Sequence, residues 1–105
     1  MAKKDRGMAT FIALFGWTDQ GIRSVKETLK RADKFTASIK KVGGSVKDIY
    51  WTMGRYDGVI IFEVPDDETA TALMLGGCSL GNIRSETLRA FGAGEMKRIM
   101  KLMRA

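Results

Sequence analysis

The sequence predicts an α+β domain in which helices cover one face of an antiparallel sheet. Three observations indicate this class: short apolar runs of strand length, one long segment with helical periodicity, and two adjacent strand-like runs separated by a glycine-bounded turn. Along the chain the elements have the order β-α-β-β-α-β and end with a further helix. This order is the ferredoxin-like βαββαβ plan with a C-terminal helix.

The first half of the chain supplies a strand and the longest predicted helix. Residues 8–15 are continuously apolar and precede a glycine, which is typical of a strand covered on both faces. Thr18 and Asp19 are candidate N-caps for the next helix. Over residues 22–42 apolar side chains recur every three or four positions, with lysines largely between them. This spacing predicts one amphipathic helix of about six turns that stops at the next two glycines.

The second half begins with a predicted hairpin. Residues 46–53 are rich in aromatic and β-branched side chains, and residues 59–64 form the strongest strand pattern in the chain. The residues between them, 54–58, have the composition of a turn. Asp66 is placed to cap a second helix, which we expect to weaken and stop at the glycine-rich segment 76–81.

The chain is predicted to end with a strand and an amphipathic helix. Residues 82–91 have a moderate strand pattern, and residues 92–104 have a helical one. One side of the terminal helix is apolar and rich in methionine. Such a stripe favours a role in the core or in a contact between subunits.

Composition excludes several kinds of chemistry. The 105 residues contain 18 Lys+Arg, 12 Asp+Glu, one cysteine and no histidine, with a formal net charge of +6. His-ligated metals, a Ser-His-Asp triad, a Cys-His dyad and an internal disulfide are therefore impossible. We expect no cofactor and no metal.

The length and the hydropathy of the chain predict a single domain that does not enter a membrane. Residues 1–7 are expected to form a disordered basic N-terminus, and residues 8–105 one domain. No cleavable signal peptide is evident, and no stretch approaches the roughly 20 apolar residues that span a bilayer. We expect a cytoplasmic location and no membrane partner.

The alternation of apolar residues predicts a homodimer. Residues on both faces of the first and third strands are apolar, although two helices cover only one face. We expect the uncovered face to pack against the same face of a second copy, which gives a dimeric α+β barrel. The alternative is that the terminal helix covers that face within one chain. The methionine stripe fits either arrangement, and it also fits a larger ring.

Three segments resemble a known family. The segment that includes Gly54, Tyr56 and Asp57 and runs into residues 59–68 is similar to the signature of the GYD domain proteins, and residues 18–22 and 79–91 resemble the start and the last strand of that family. The resemblance implies a small bacterial or archaeal protein of the dimeric α+β barrel superfamily. That superfamily contains cofactor-independent monooxygenases, isomerase-like enzymes and ligand-binding regulator domains, and the resemblance itself implies no particular reaction.

The predicted turn holds the first candidate ligand-binding residues. Arg55, Tyr56 and Asp57 offer an anion contact, a phenol and a carboxylate that could hold a polar group at the mouth of a barrel. The alternative is that Gly54 and Gly58 make the turn while Asp57 bonds local backbone amides.

Further candidates lie on the predicted strands. Glu63 is a carboxylate in an otherwise apolar strand, so it is either a proton acceptor or a partner for a basic residue such as Arg89 or Arg84. Arg89 therefore joins the candidate ligand-binding residues. Trp51 is a candidate for stacking on a flat ligand or for anchoring a core. Tyr50 and Trp51 point to opposite faces, so only one of them lines a barrel interior.

The sequence favours binding of a small molecule and leaves the reaction open. A cofactor-independent enzyme of the oxygenase or isomerase kind and a non-enzymatic ligand sensor or interaction module both fit. Binding of RNA is the less favoured alternative, because residues 57–62 carry an aspartate and aliphatic side chains where RNA-recognition strands carry a basic residue and stacking aromatics.

Overall fold

The computed structural model describes residues 7–104 and confirms the predicted ferredoxin-like plan. We label the elements in chain order as β1 (Ala9–Trp17), α1 (Asp19–Arg23), a short 3-10 helix (Val25–Glu27), α2 (Thr28–Lys41), β2 (Ser45–Trp51), β3 (Gly58–Val64), α3 (Asp67–Ser79), β4 (Ile83–Ala90) and α4 (Ala93–Lys101). The predicted disordered N-terminus lies, apart from Gly7, outside the described residues.

The four strands form one antiparallel sheet in the order β2-β3-β1-β4. One face, which we call the helix face, carries the core. Buried side chains alternate along the two central strands, and helices α2 and α3 add Ile39, Ala70 and Met74. The ring of Phe62 stacks on Phe11 at 5.7 Å between centroids, and Phe35 meets it edge-on at 6.2 Å. These three rings from β3, β1 and α2 form the centre of the core.

The prediction of one six-turn helix is wrong. The helical segment breaks at Ser24, and the Arg31 guanidinium donates to the carbonyl oxygens of Ser24 at 3.2 Å and Gly21 at 3.4 Å, at the end of α1. Helix α1 is tied to the loop before β4, because the Thr18 amide donates to the Asn82 carbonyl at 3.1 Å. The chain therefore has to turn before α2 crosses the sheet, which apolar periodicity alone does not reveal.

The predicted stop of the second helix is also displaced. Asp66 caps α3 as predicted, with its Oδ1 accepting from the Thr69 amide at 2.8 Å. The helix then continues through Gly76 and Gly77 to Ser79, and the chain leaves it at Gly81, whose φ is +88°. A Cβ at Gly77 would lie 3.5 Å from the ring of Phe35, an ordinary packing distance, so neither glycine obliges the helix to stop.

The other side of the sheet, which we call the open face, has no buried side chain. Its members come from alternate positions of all four strands: Thr10, Ile12, Leu14, Gly16, Ser45, Asp48, Tyr50, Val59, Ile61, Glu63, Arg84, Glu86, Leu88 and Ala90. The expectation that β1 is covered on both faces is therefore not met within residues 7–104. Helix α4 buries none of its residues, and Met96, Met100 and Met103 are exposed.

None of the helices between residues 7 and 104 has the length and apolar content that a bilayer crossing needs.

Two glycines provide a matched test of the packing. At Gly21 a Cβ would lie 1.9 Å from the Asn82 carbonyl oxygen, whereas at Gly76, inside α3, it would meet nothing within 4 Å. We expect Gly21→Ala to lower the free energy of unfolding by about 1–3 kcal/mol through overpacking. Gly76→Ala should raise it by about 0.5–1 kcal/mol, because alanine favours a helix interior.

Urea unfolding of the two variants beside the wild type measures both changes. Equal effects of the two substitutions would contradict the contact between α1 and the loop before β4.

Candidate functional site

Asp57 holds the end of β1 in place. Its Oδ2 accepts from the Trp17 amide at 2.9 Å, and its own amide donates to the Phe15 carbonyl at 2.8 Å. Its carbonyl accepts from the Thr52 amide at 2.9 Å, which closes the turn between β2 and β3. The carboxylate therefore bonds a backbone amide, but that amide belongs to Trp17 on β1 and is not local to the turn as the alternative predicted.

Tyr56 reaches across the open face to β4. Its hydroxyl donates to Glu86 Oε1 at 2.6 Å, and the Arg55 guanidinium carbon lies 5.6 Å from the centre of its ring. The hydrogen bond to Glu86 raises the pKa of the Tyr56 phenol, because the neutral phenol is the donor and the nearby carboxylate opposes a second negative charge. The phenol and Glu86 form a polar pair at one end of the open face.

Glu63 lies at the other end of the open face. Its Oε1 is 3.9 Å from the Lys47 ammonium, and its Oε2 accepts from the Thr10 hydroxyl at 3.5 Å. A β-bulge between Val46 and Asp48 interrupts the register beside Lys47. Glu63 therefore pairs with a basic residue, but that residue is Lys47 and neither Arg89 nor Arg84.

Tyr50 and Trp51 lie on opposite faces of the sheet. Tyr50 lies opposite Val59 and belongs to the open face, whereas Trp51 lies opposite the buried Gly58, and its indole donates to the Thr28 hydroxyl at 3.0 Å. Trp51 therefore does not join Tyr56 and Glu63, and Tyr50 takes the position that a barrel interior would use.

Arg89 lies on the helix face, away from the other candidates. Its guanidinium donates to the Thr10 and Ala90 carbonyls and to Glu95 Oε2, the last at 3.1 Å. The Gly92 amide and then Arg89 hold the pKa of Glu95 below its usual range, since both donate to the carboxylate. The expected contact between Glu63 and Arg89 is wrong because successive residues of β4 alternate between the faces.

Comparison with protein families identifies this arrangement. The model of the GYD domain matches residues 11–100, which covers the sheet from β1 to β4 and most of α4. The chain belongs to the GYD domain family. Within the matched range, Gly54 has a φ of +106°, Tyr56 is the phenol paired with Glu86, and Asp57 is the carboxylate that binds the end of β1.

A curated relative is similar to this chain in sequence, and two solved structures are similar to it in fold. The chain is 29% identical over 90 residues to the glutamine synthetase and cystathionine beta-lyase binding protein of Thermus thermophilus, a match that spans 85% of this chain and 95% of that protein. It also resembles 30S ribosomal protein S6 of Thermotoga maritima (14% identity, TM-score 0.59, 90% of this chain and 98% of that one).

The second structure is the leucine response regulatory protein of Mycobacterium tuberculosis, with 13% identity and a TM-score of 0.53 over 81% of this chain. The chain spans 51% of the length of that regulator, and both structural likenesses concern the fold alone.

The structure of this GYD protein places two of the predicted site residues on the same face of the sheet, although they do not contact each other. Tyr56 and Glu63 share the open face, at opposite ends of its apolar centre. Glu86, Lys47 and Tyr50 join them, and sequence reasoning did not select these three as site residues. Strand alternation in β4 could have identified Glu86, but the bulge in β2 hides the side on which Lys47 lies. Within residues 7–104, no group of three or more acidic or cysteine side chains is arranged to hold a metal ion.

The phenol of Tyr56 provides a direct test of the polar pair. We expect Glu86→Gln to lower the pKa of Tyr56 towards its ordinary value, because the substitution removes the carboxylate that favours the neutral phenol. The phenolate absorbance of the wild type minus that of Tyr56→Phe isolates this titration from that of Tyr50.

The raised pKa also fixes the sign of the pH dependence. The contribution of the pair to stability is complete below the ordinary pKa of tyrosine and is lost as the pH rises through the higher pKa of the folded protein. An unchanged titration in Glu86→Gln would contradict the hydrogen bond.

Proposed function

We propose that this chain is a homodimeric α+β barrel protein whose two open faces pack together and hold a small, partly apolar molecule between them. The apolar centre of the open face carries the proposal. Ile12 lies opposite Ile61 on one side and Leu88 on the other, and Leu14 lies opposite Val59. Cross-strand aliphatic pairs of this kind normally face a core.

A second copy offers the matching surface. Burial of a large aliphatic side chain contributes about 1.5–3 kcal/mol relative to full exposure, so the half-exposed side chains of this face gain part of that value each. A two-fold axis brings the same residues of both copies together in an isologous contact. Two sheets packed in this way lie about 10 Å apart, which leaves room for a ligand where side chains are short or splayed.

The polar pairs at the two ends of the face would orient the ligand. Small-molecule sites are mainly apolar, with a few polar groups at fixed positions. Tyr56 with Glu86 at one end and Glu63 with Lys47 at the other fit that description. These observations support the binding of a small molecule between the two open faces. An oxygenase- or isomerase-like reaction is the finer version of the proposal, with Tyr56 and Glu63 as the groups that would transfer protons.

The dimer is tested by mass in solution. We expect light scattering coupled to size exclusion to give twice the 11.6 kDa of one chain for the wild type and a single-chain mass for Ile61→Lys. Lysine in the centre of the face would bring a charge into the contact, where its desolvation costs free energy even beside the cross-strand carboxylate of Asp48. Leu29→Lys is the matched control, since Leu29 is 64% exposed on α2.

Circular dichroism shows whether each variant is folded. If the wild type has the mass of one chain at micromolar concentration, the proposed dimer is contradicted.

The ligand is tested on the same proteins. Native mass spectrometry of the wild-type dimer, purified from its own host, should reveal a retained small molecule that monomeric Ile61→Lys lacks. A dimer without any bound mass leaves self-association in place and refutes the enclosed site. Turnover of the retained compound then separates an enzyme from a binder.

A second candidate function rests on the Thermus relative. That protein is described as binding glutamine synthetase and cystathionine beta-lyase, and the match covers almost its entire length. By similarity, this chain would bind a metabolic enzyme through its surface. Biolayer interferometry with both enzymes from the same host should give saturable binding, with an unrelated enzyme of similar charge as control. Absence of binding to either enzyme excludes this candidate.

A further inference from the structure

Helix α4 projects from the domain with its apolar side uncovered. Its first turn is held to the end of β4, because the Glu95 carboxylate accepts from the Arg89 guanidinium and from the Gly92 amide, each at 3.1 Å. Beyond that turn, α4 makes no extensive contact with any other helix or strand within residues 7–104. The radius of gyration of 15.2 Å accordingly exceeds the value of about 13 Å that is typical of a compact chain of about 100 residues.

The exposed side of α4 combines methionines with basic side chains. Met96 and Met100 lie about one turn apart, Met103 follows just after the helix, and Met100 is 54% exposed. Residues 93–104 contain four basic side chains and one acid, and this acid is Glu95, which Arg89 already pairs. A second α4 would meet the first with like charges. The surface that covers α4 therefore has to be apolar in its centre and acidic beside it.

The same chain has a surface of this kind between α3 and β4. A groove of about 450 Å³ lies there, on the helix face, with the buried side chains of Phe11 and Met74 at its base. Leu75 lines the groove and is 67% exposed. At one end the groove adjoins a depression that is lined by the three successive acids 66–68 at the start of α3. The apolar base and the acidic end complement the methionines and the basic side chains of α4.

The groove and the helix also have the same length. Between Arg89 and Ser85, which both line the groove, β4 advances by about 13 Å at the usual rise of a strand. The nine residues of α4 span about 13 Å at the rise of an α-helix. The whole helix therefore fits along the groove.

The direction of the charges decides which copy supplies the helix. Asp67 marks the acidic end of the groove, and Cys78 marks the other end. Because β4 ends at the acidic end and only two residues separate it from α4, a helix folded back into the groove of its own chain would carry its basic end away from the acids. A helix from a second copy can enter in the opposite direction, with Lys101 and Arg104 beside the acids and Met96 near Cys78.

We propose that the groove between α3 and β4 binds helix α4 of a second copy of this chain. The methionines fill the groove, and the two helices run antiparallel, so that the basic end of α4 meets the acidic start of α3. Each copy carries one helix and one groove, so this contact joins open-face dimers into larger assemblies. A helix of nine residues buries less area than a stable interface does. The contact is therefore transient at micromolar concentration, where the mass stays that of the dimer.

The single cysteine of the chain allows this contact to be trapped. Mild oxidation of concentrated Met96→Cys should link the introduced cysteine to Cys78 of a second copy, which gives a band at twice 11.6 kDa on a non-reducing denaturing gel. Met103→Cys is the matched control on the same side of α4. It should give about tenfold less of this band, since its position is about 10 Å further along the helix axis from Cys78. Adding Cys78→Ser to each variant identifies links between two introduced cysteines.

A charge exchange tests the direction of the helix. Lys101→Glu, added to Met96→Cys, should lower the yield of the linked band about fivefold, because it places a fifth carboxylate at the acidic end of the contact in place of a cation. Adding Asp67→Lys as well should restore most of the yield. Lys34→Glu makes the same change on the exposed side of α2 and should leave the yield unchanged.

Two results would overturn the proposal. A disulfide between Cys78 and the cysteine of Met103→Cys within one chain, identified by peptide mapping, would show that α4 folds back into its own groove. The absence of any link to Cys78 in both variants would exclude the contact. The link in Met96→Cys should persist when Ile61→Lys is added, so neither result depends on the open-face dimer, which uses the other side of the sheet.

Discussion

The pairing of β1 with β3 is the constraint on which the rest of the structure depends. Phe11 lies opposite Phe62 in this register, and one residue further along Ile12 lies opposite Ile61. Because successive side chains alternate between faces, the same ladder places aromatic pairs in the core and aliphatic pairs on the open face. A slip of one residue would exchange the two sets, so the phenylalanines fix the register and thereby place the aliphatic side chains outside.

The order of elements was predictable from the sequence because each strand and helix has its own local pattern. The run of β-branched and aromatic residues at 59–64, the turn before it and the cap at Asp66 are all encoded within a few neighbouring residues, and the structure confirms them. The helix boundary at Ser24 depends on contacts with residues outside α1. Asn82 binds its start and Arg31 binds its end, and periodicity contains no information about either contact.

The candidate site was predictable only in part, for a related reason. The sequence indicated Tyr56 and Glu63 as polar groups in unusual positions, and both lie on the open face. It did not indicate their partners, since Glu86 and Lys47 come from two different edge strands, and the face that Lys47 occupies is set by a bulge. Trp51 and Arg89 were grouped with them by residue type, whereas strand alternation places both on the helix face.

Thr10 connects the two surfaces through one residue. Its hydroxyl donates to Glu63 on the open face, and its carbonyl accepts from Arg89 at 3.5 Å on the helix face. Arg89 in turn binds Glu95, so the start of α4 is joined to the same strand position. The Glu63 carboxylate of the open face and the Arg89 guanidinium of the helix face therefore contact the same residue of β1. Because β1 is a central strand with neighbours on both sides, the hydroxyl and the carbonyl of Thr10 couple the two surfaces through a residue that is itself part of two strand ladders.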